Sequence, residues 1–199
     1  MAGDDFSGLR VYVVDQGGQW THREWRVLKY LGAETKIMPN TTPFGELDVD
    51  ALVLSGGAAR VETDTMKLGR TGEYLDKADF PIFGMCLSHQ FMALYYGGKS
   101  GPAPRPEFGR AELIVDRDFD LFMGLPKRFI VWESHNDEIK VLPDCFESYA
   151  HSENCMNQAI KHRERPIYGV QFHPEVEHTE HGYDIFKNFL RVVKARKNQ

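Results

Sequence analysis

The 199-residue chain has few cysteines, only Cys86, Cys145 and Cys155. An odd and sparse set cannot build a disulfide framework, so we expect free thiols in a reducing compartment. Apolar runs are also short: none approaches the roughly 18 residues of a membrane span, and the first residues lack the apolar segment of a signal peptide. These features predict a cytoplasmic protein that does not contact membranes.

The chain also lacks an excess of positive charge. Lys and Arg total 24 against 29 Asp and Glu, which gives a formal net charge of −5 and argues against nucleic-acid binding through bulk charge. No glycine-rich loop ends in Gly-Lys-Ser/Thr, so a P-loop nucleotide site is not expected. The chain is 42% hydrophobic, which excludes a disordered protein and predicts one globular domain of ordinary size.

The first half of the chain alternates short apolar strands with amphipathic helices. The spacing predicts strands at 9–14, 34–38, 51–54 and 80–85, and helices at 20–31, 66–77 and 87–96. This alternation is typical of an open α/β sheet of flavodoxin-like type, mostly parallel and covered by helices on both faces.

The second half has a different pattern. Three prolines within residues 101–109 predict an irregular loop. Short strands at 111–115, 128–132, 146–150 and 156–160 predict a small mixed or antiparallel region, followed by a strand at 167–172 and a helix at 183–193. We predict a single domain over residues 1–199, with a flexible polar tail at 1–8.

Polar segments follow four of the predicted strands. They are Asp15–Gln19, Ser55–Gly57, Cys86 and His173–Glu175. Ligands bind at the carboxyl ends of strands in open parallel sheets. If these strands are neighbours, the four segments gather at one edge.

Cys86 lies between a strand and a helix, within Gly84–Ser88. This context is that of a nucleophile elbow, in which a tight turn exposes the side chain and the helix N-terminus favours a thiolate. The alternative is a buried cysteine that acts as a small hydrophobic residue. Cys145 and Cys155 have no such setting.

His173 and Glu175 flank Pro174. The residue before a proline is extended, and extended residues two apart point the same way, so Glu175 can orient the imidazole of His173. A thiol, a base and an orienting carboxylate are the three parts of an activated nucleophile. The alternative is a solvated surface turn.

Ser55, Gly56 and Gly57 form a turn that can present backbone N–H groups to an oxyanion. An ordinary turn is the alternative. ATP-pyrophosphatase loops also begin Ser-Gly-Gly but continue towards Asp-Ser, whereas here Ala58–Arg60 follows.

The stretch from His173 to His181 is rich in metal-ligating residue types, with three histidines and two further glutamates besides Glu175. Neither paired cysteines nor a His-Glu-x-x-His pattern supports a metal site there. We therefore expect no metal.

Together these segments resemble the class I (triad) glutamine amidotransferase family over essentially the whole chain. The resemblance rests on the Ser-Gly-Gly turn, Gly84–Gln90 and His173–Glu175. Asp15–Thr21, Val131–Asp137 and Gln171–Thr179 resemble the branch that serves GMP synthetases as a separate chain.

The resemblance implies a catalytic triad of Cys86, His173 and Glu175 acting on the side-chain amide of glutamine. It implies an oxyanion hole from the backbone of Gly57 and Leu87. Glutamine-binding positions would be Gln90, Ser134, Asn136 and Asp137, while His89 and His135 would be structural.

The same resemblance implies a partner. One amidotransferase domain occupies all 199 residues, so a separate ATP-dependent GMP synthetase subunit of the ATP-pyrophosphatase type would receive the ammonia. No cofactor is expected on this chain, with ATP and Mg²⁺ on the partner. We expect docking near 66–77 and 177–181.

The chain departs from the family at two positions. Ser88 stands where glycine is usual and Ala58 where proline is usual. Both changes predict an oxyanion turn that needs the partner for full activity. The alternatives are an amidotransferase for anthranilate, aminodeoxychorismate or CTP synthesis, a γ-glutamyl hydrolase-like enzyme, or a binding protein without turnover.

Overall fold

One nine-stranded sheet organises the computed structural model, which describes residues 4–199. In chain order the strands are β1 (Val11–Asp15), β2 (Ile37–Pro39), β3 (Ala51–Leu54), β4 (Ile82–Met85), β5 (Lys99–Val115), β6 (Arg128–Val141), β7 (Phe146–His151), β8 (Ala159–His162) and β9 (Ile167–Val170). The spatial order is β2-β1-β3-β4-β9-β8-β7-β5-β6.

The first five strands in this order are all parallel. β3, β4 and β9 are buried along their whole length, which explains their unbroken apolar sequences. The predicted parallel sheet is therefore confirmed, and β1, β3, β4 and β9 are neighbours.

The antiparallel part is larger than predicted. β5 and β6 have 17 and 14 residues, and the irregular loop predicted for 101–109 is wrong because these residues belong to β5. Pro102 pairs with Asp137, and the next pairing is Glu107 with His135, so the register shifts between them. A shifted segment tolerates Pro104 and Pro106, since it needs no regular ladder of N–H donors.

Helices cover both faces of the sheet. The four helices are α1 (Thr21–Tyr30), α2 (Thr71–Lys77), α3 (Leu87–Tyr95) and α4 (Gly182–Lys197). Side chains of α1 and α4 form one apolar core with the sheet, and those of α2 and α3 form the second. The site at the carboxyl edge thus stands on a sheet fixed from both sides.

Two predicted elements differ in detail. The helix predicted for 66–77 is divided into a 3₁₀ turn at Thr65–Leu68 and α2, because Gly69 adopts φ +52° against the backbone of Asn40. The tail predicted for 1–8 lies partly outside the described residues. Within it, Phe6 is buried in the core and Asp4 pairs with Arg191, so this part is packed on the domain.

Within residues 4–199, no helix combines the length and apolar character needed to cross a bilayer.

Candidate active site

The four predicted segments meet at the carboxyl edge of the parallel strands. They line one cavity of about 680 Å³, to which each segment contributes. The lining includes every residue predicted for the site: Cys86, His173, Glu175, Gly57, Leu87, Gln90, Ser134, Asn136 and Asp137. Because β4 and β9 are parallel neighbours, Cys86 and His173 lie at the same edge of the sheet although they are far apart in sequence.

Cys86 occupies a strained turn between β4 and α3. Its φ of +48° and ψ of −105° lie in a backbone region that residues other than glycine rarely adopt. The backbone is fixed on both sides, since Cys86 N–H donates to Val170 O at 2.8 Å and Cys86 O accepts from Gln90 N–H at 3.0 Å. Gly84 allows β4 and α3 to pack closely, because a Cβ at this position would lie 2.6 Å from Met92 Cε of α3. This geometry is that of the predicted elbow.

His173 and Glu175 form a buried pair. His173 Nδ1 lies 2.7 Å from Glu175 Oε1, which leaves the other ring nitrogen available to Cys86, a second group that lines the same cavity. Thr179 Oγ1 donates to His173 O at 2.6 Å, and Trp20 packs edge-on against the imidazole at 4.6 Å between ring centroids. The ring is therefore held on several sides.

Electrostatics favour the protonated form of His173. Burial by itself lowers the pKa of the imidazole, but the negative charge of Glu175 and the neighbouring Cys86 side chain raise that pKa well above its ordinary value. A protonated imidazole beside a thiol sulfur can stabilise a thiolate and donate a proton to a leaving group.

The Ser55–Gly57 turn fits closely between the other segments. A Cβ on Gly56 would lie 3.2 Å from His173 Cε1, and one on Gly57 would lie 2.5 Å from Gln16 O and 2.6 Å from Leu87 Cδ2. Only glycine allows the turn to lie so close to the elbow. Leu87 opens α3, where the first backbone N–H groups lack partners within the helix.

Ser88, one of the two departures from the family pattern, connects the elbow with this turn. It is fully buried, and its hydroxyl donates to Ser55 O at 2.6 Å. The hydroxyl thus links α3 to the oxyanion turn that lacks a proline at Ala58.

We expect Ser88→Ala to loosen this turn. Loss of a buried hydrogen bond destabilises the fold by about 1 kcal/mol, and we expect a several-fold lower kcat for glutamine hydrolysis with little change in KM. Thermal unfolding and steady-state kinetics measure the two effects. An unchanged kcat in a destabilised variant would show that the link is purely structural.

The predicted glutamine-binding residues lie on α3 and β6. Ser134 O faces the Cys86 thiol at 3.8 Å. Gln90 Nε2 donates to Asp137 O at 2.7 Å and to Gln171 Oε1 at 3.1 Å, so Gln90 braces β6 against α3. Asn136 lines the cavity.

Two supporting residues were missed by the sequence analysis. Arg60 holds the Asp137 carboxylate in a bidentate pair, with Nε–Oδ2 at 2.9 Å and the second contact at 3.0 Å. Gln171 Nε2 donates to Cys86 Sγ at 3.7 Å. Gln171 could have been found, since it lies only two residues before His173 and directly after β9, whereas no sequence pattern indicates a role for Arg60.

Glu24 was also missed. It lies on the buried face of α1, lines the cavity, and is 1% exposed. Burial and the nearby charge of Glu175 raise the pKa of Glu24 well above its usual value, against the opposing effects of His173 and the Gly56 N–H. Burial and Glu175 therefore favour the neutral form of Glu24 beside His173 and Glu175. An acidic residue at helical spacing between Thr21 and Leu28 was the available signal.

The remaining histidines and cysteines occupy other positions. His89 is buried with Nε2 2.8 Å from Asn157 O, and burial lowers its pKa to about 3, so it is neutral. His178 packs on Trp132, and His181 contacts Asp184, so these side chains are separated from His173. Burial raises the pKa of the Cys155 thiol far above its ordinary value.

This α/β fold, with its cysteine elbow and buried His–Glu pair, matches the class-I glutamine amidotransferases, whose sequence profile covers residues 12–193. The chain belongs to the class-I glutamine amidotransferase family.

The chain is also similar to two proteins that are each described as one subunit of a glutamine-hydrolysing GMP synthase. The Thermoplasma volcanium protein is 50% identical over 96% of this chain and 95% of its own. The Thermoplasma acidophilum protein is 52% identical over 94% of each chain.

Solved structures agree with this assignment. A crystal structure of a GMP synthase subunit from Thermoplasma acidophilum has 50% sequence identity and a TM-score of 0.91, covering 96% of both chains. A glutamine amidotransferase from Thermotoga maritima has 20% identity and a TM-score of 0.69 over 96% of this chain and 84% of its own. The second comparison supports the fold alone.

Proposed function

We propose that the chain is the glutamine-hydrolysing subunit of a GMP synthase. It converts glutamine into glutamate and ammonia, and a separate ATP-dependent chain uses the ammonia to convert XMP into GMP. The observation that carries the proposal is the His173–Glu175 pair, joined at 2.7 Å and set against Cys86 on its strained turn. The high identity to GMP synthase subunits over nearly the full length selects the pathway.

The first step is attack of the Cys86 sulfur on the side-chain carbonyl carbon of glutamine. The C–S bond forms, the C–N bond breaks, and His173 donates its proton to the leaving nitrogen, which departs as ammonia. Glu175 holds the imidazole in position and stabilises its positive charge. The product on the protein is a γ-glutamyl thioester.

Backbone N–H groups of Gly57 and Leu87 stabilise the negative charge that develops on the carbonyl oxygen. One donor lies on the oxyanion turn and the other at the start of α3, and both residues line the cavity. Each donor of this kind contributes roughly 10²- to 10³-fold to the rate. The Ser88 hydroxyl fixes the positions of the two donors relative to each other, because it links α3 to the turn.

Glutamine binds between α3 and β6. Ser134 and Asn136 offer groups to the substrate from the cavity wall. Gln90 and Asp137 act mainly by holding that wall in place, since Gln90 bonds Asp137 O and the Asp137 carboxylate is already paired with Arg60.

In the second step, His173 takes a proton from water as the water oxygen attacks the thioester carbon. The C–S bond breaks, glutamate leaves, and the sulfur recovers its starting form. All of these steps use side chains and backbone of this chain. We therefore propose that hydrolysis needs no cofactor, with ATP and Mg²⁺ bound by the partner.

The partner is an ATP-pyrophosphatase-type GMP synthetase subunit, and the complex is cytoplasmic. The relatives from two Thermoplasma species are named as subunits of a GMP synthase, which supports the presence of a second, different chain. The proposed docking surface surrounds the carboxyl edge, including α2 and residues 177–181.

The test is transfer of amide nitrogen. The chain is mixed with a GMP synthetase subunit, XMP, Mg²⁺-ATP and glutamine labelled with ¹⁵N in the amide. We expect ¹⁵N-GMP and glutamate in nearly equal amounts, with little glutamate from the chain alone. In the Cys86→Ala control, GMP forms only when ammonium is supplied.

Two results would contradict the proposal. Glutamine hydrolysis without transfer to XMP would indicate an amidotransferase for another pathway. Faster turnover of γ-glutamyl peptides than of glutamine would indicate a hydrolase.

A further inference from the structure

A group of buried metal-ligating side chains adjoins the glutamine-binding part of β6, where His135 also lines the active-site cavity. None of these side chains acts in the proposed hydrolysis. Donor atoms of Glu107, His135 and Cys155 all lie within 4.8 Å of one another. They come from β5, β6 and the segment between β7 and β8, so the sheet brings together residues that are distant in sequence. One oxygen, one nitrogen and one sulfur donor form a set that Zn²⁺ accepts.

Glu133 adds a fourth donor. It is 1% exposed, and neither of its carboxylate oxygens has a hydrogen-bond partner among the described residues. Its Oε2 lies 3.4 Å from His135 Nε2, so the carboxylate is directed into the cluster. A buried carboxylate that accepts no hydrogen bond is costly, and binding of a cation would offset this cost.

The surroundings orient the donors as an outer shell orients metal ligands. His135 Nδ1 lies 2.9 Å from Asp137 O, and Nε2 lies 2.9 Å from Glu107 Oε2, in a hydrogen bond that a bound cation would replace. Ser152 Oγ donates to Glu107 Oε1 at 2.7 Å, and Gln158 Nε2 donates to Glu107 Oε2 at 3.0 Å. Hydrogen bonds of this kind set the tautomer and orientation of ligands in metal sites.

A cation can approach the cluster through a second cavity. This cavity measures about 360 Å³ and is lined by Glu107, Glu133 and also by Glu112 and Glu153. The same lining contains Arg110, so its four carboxyl groups outnumber this positive charge. A cleft with an excess of negative charge raises the local concentration of cations.

We propose that Glu107, Glu133, His135 and Cys155 bind one divalent cation of the Zn²⁺ type, in a site separate from Cys86. Binding displaces the proton on His135 Nε2, the thiol proton of Cys155 and any proton on the Glu133 carboxyl group, and all of these protons go to solvent. The ion then fixes the segment whose Ser134 and Asp137 carbonyls support the glutamine cavity. This site departs from the sequence-based expectation of no metal, and it does not depend on the proposed function.

The test is Zn²⁺ binding to the full chain after removal of metal with a chelator, followed by competition with a chromophoric chelator. The Cys86→Ala background is used throughout, because Cys86 and His173 could themselves bind Zn²⁺. We expect one Zn²⁺ per chain. Glu133→Gln and Cys155→Ser should each weaken binding by at least about 100-fold.

Two control variants carry the same types of substitution, Glu to Gln and Cys to Ser, at positions outside the cluster. Glu177→Gln alters an exposed carboxylate in the histidine-rich segment, and Cys145→Ser removes a thiol outside the cluster. Both should bind Zn²⁺ unchanged. With Co²⁺ as the probe, a thiolate-to-metal charge-transfer band should be present in the Cys145→Ser variant and absent in Cys155→Ser.

Thermal unfolding separates loss of the site from loss of the fold. Saturating Zn²⁺ should raise the Tm of the Cys86→Ala chain and leave that of its Cys155→Ser derivative unchanged. If Cys155→Ser does not fold, Ser152→Ala replaces it, with an expected weakening of about tenfold. Absence of Zn²⁺ binding in the Cys86→Ala chain, or equal binding in the cluster variants and their controls, would overturn the proposal.

Discussion

Replacement of Cys86 by Ala is expected to lower glutamine hydrolysis by at least about 10⁴-fold, since the nucleophile of a covalent mechanism cannot be replaced by the rest of the site. Glutamine binding should persist, because the cavity wall formed by α3 and β6 is unchanged. Glutamate release and calorimetric titration measure the two properties. Cys145→Ser is the matched control and should keep full activity. Residual hydrolysis at the level of this control would exclude Cys86 as the nucleophile.

Stability of the Cys86 variants tests the strained turn independently. Glycine normally destabilises a fold relative to alanine, but at φ +48° and ψ −105° the Cβ is the source of strain. We therefore expect Cys86→Gly to be more stable than Cys86→Ala by about 1 kcal/mol, or about 2–4 °C in Tm. The usual order, with alanine the more stable variant, would show that the turn is relaxed.

Glu133→Gln is expected to stabilise the metal-free fold at alkaline pH and to have no such effect at acidic pH. Burial raises the pKa of Glu133 to about 7, although His135 acts to lower it. Between about pH 4.5 and 7 the folded chain therefore retains a proton that the unfolded chain has released, and stability falls as pH rises through this window. Glutamine does not titrate and avoids this loss.

The size of the effect follows from the pKa difference. A shift from 4.5 to about 7 corresponds to about 3 kcal/mol in the free energy of unfolding. At about pH 8 the Glu133→Gln chain should therefore have a Tm several degrees higher than that of the unsubstituted chain. At about pH 4 the two chains should have the same Tm. Unfolding scans with a chelator present measure the difference, with Glu177→Gln as the control. A gain in stability that is independent of pH would contradict the raised pKa.

The parallel half of the fold could be predicted because its signals are local. Val11–Val14 and Ala51–Leu54 are continuous apolar runs, and each ends at a polar or glycine-containing turn. The mostly apolar run at 80–85 ends directly before Cys86. Once the strands are parallel neighbours, their carboxyl ends must converge. Cys86, His173 and Glu175 could therefore be placed together before the structure was known.

The rest depends on pairing between distant segments. Pro102–Pro106 predict a loop, but the long pairing of β5 with β6 on either side keeps them within a strand. Arg60 reaches Asp137 across 77 positions of sequence, and no local pattern indicates this pair. Glu107 and His135 are paired by the same β5–β6 register, so the proposed metal site could not be predicted from the sequence.

The edge-on contact between Trp20 and His173 makes the site observable by fluorescence. The indole ring lies 4.6 Å from the imidazole, and a protonated imidazole at this distance quenches indole emission more strongly than a neutral one. The chain has three tryptophans, so a chain with Trp25→Phe and Trp132→Phe would emit from Trp20 alone. Its emission intensity would then follow the charge of His173 through each turnover, in real time and without an added label.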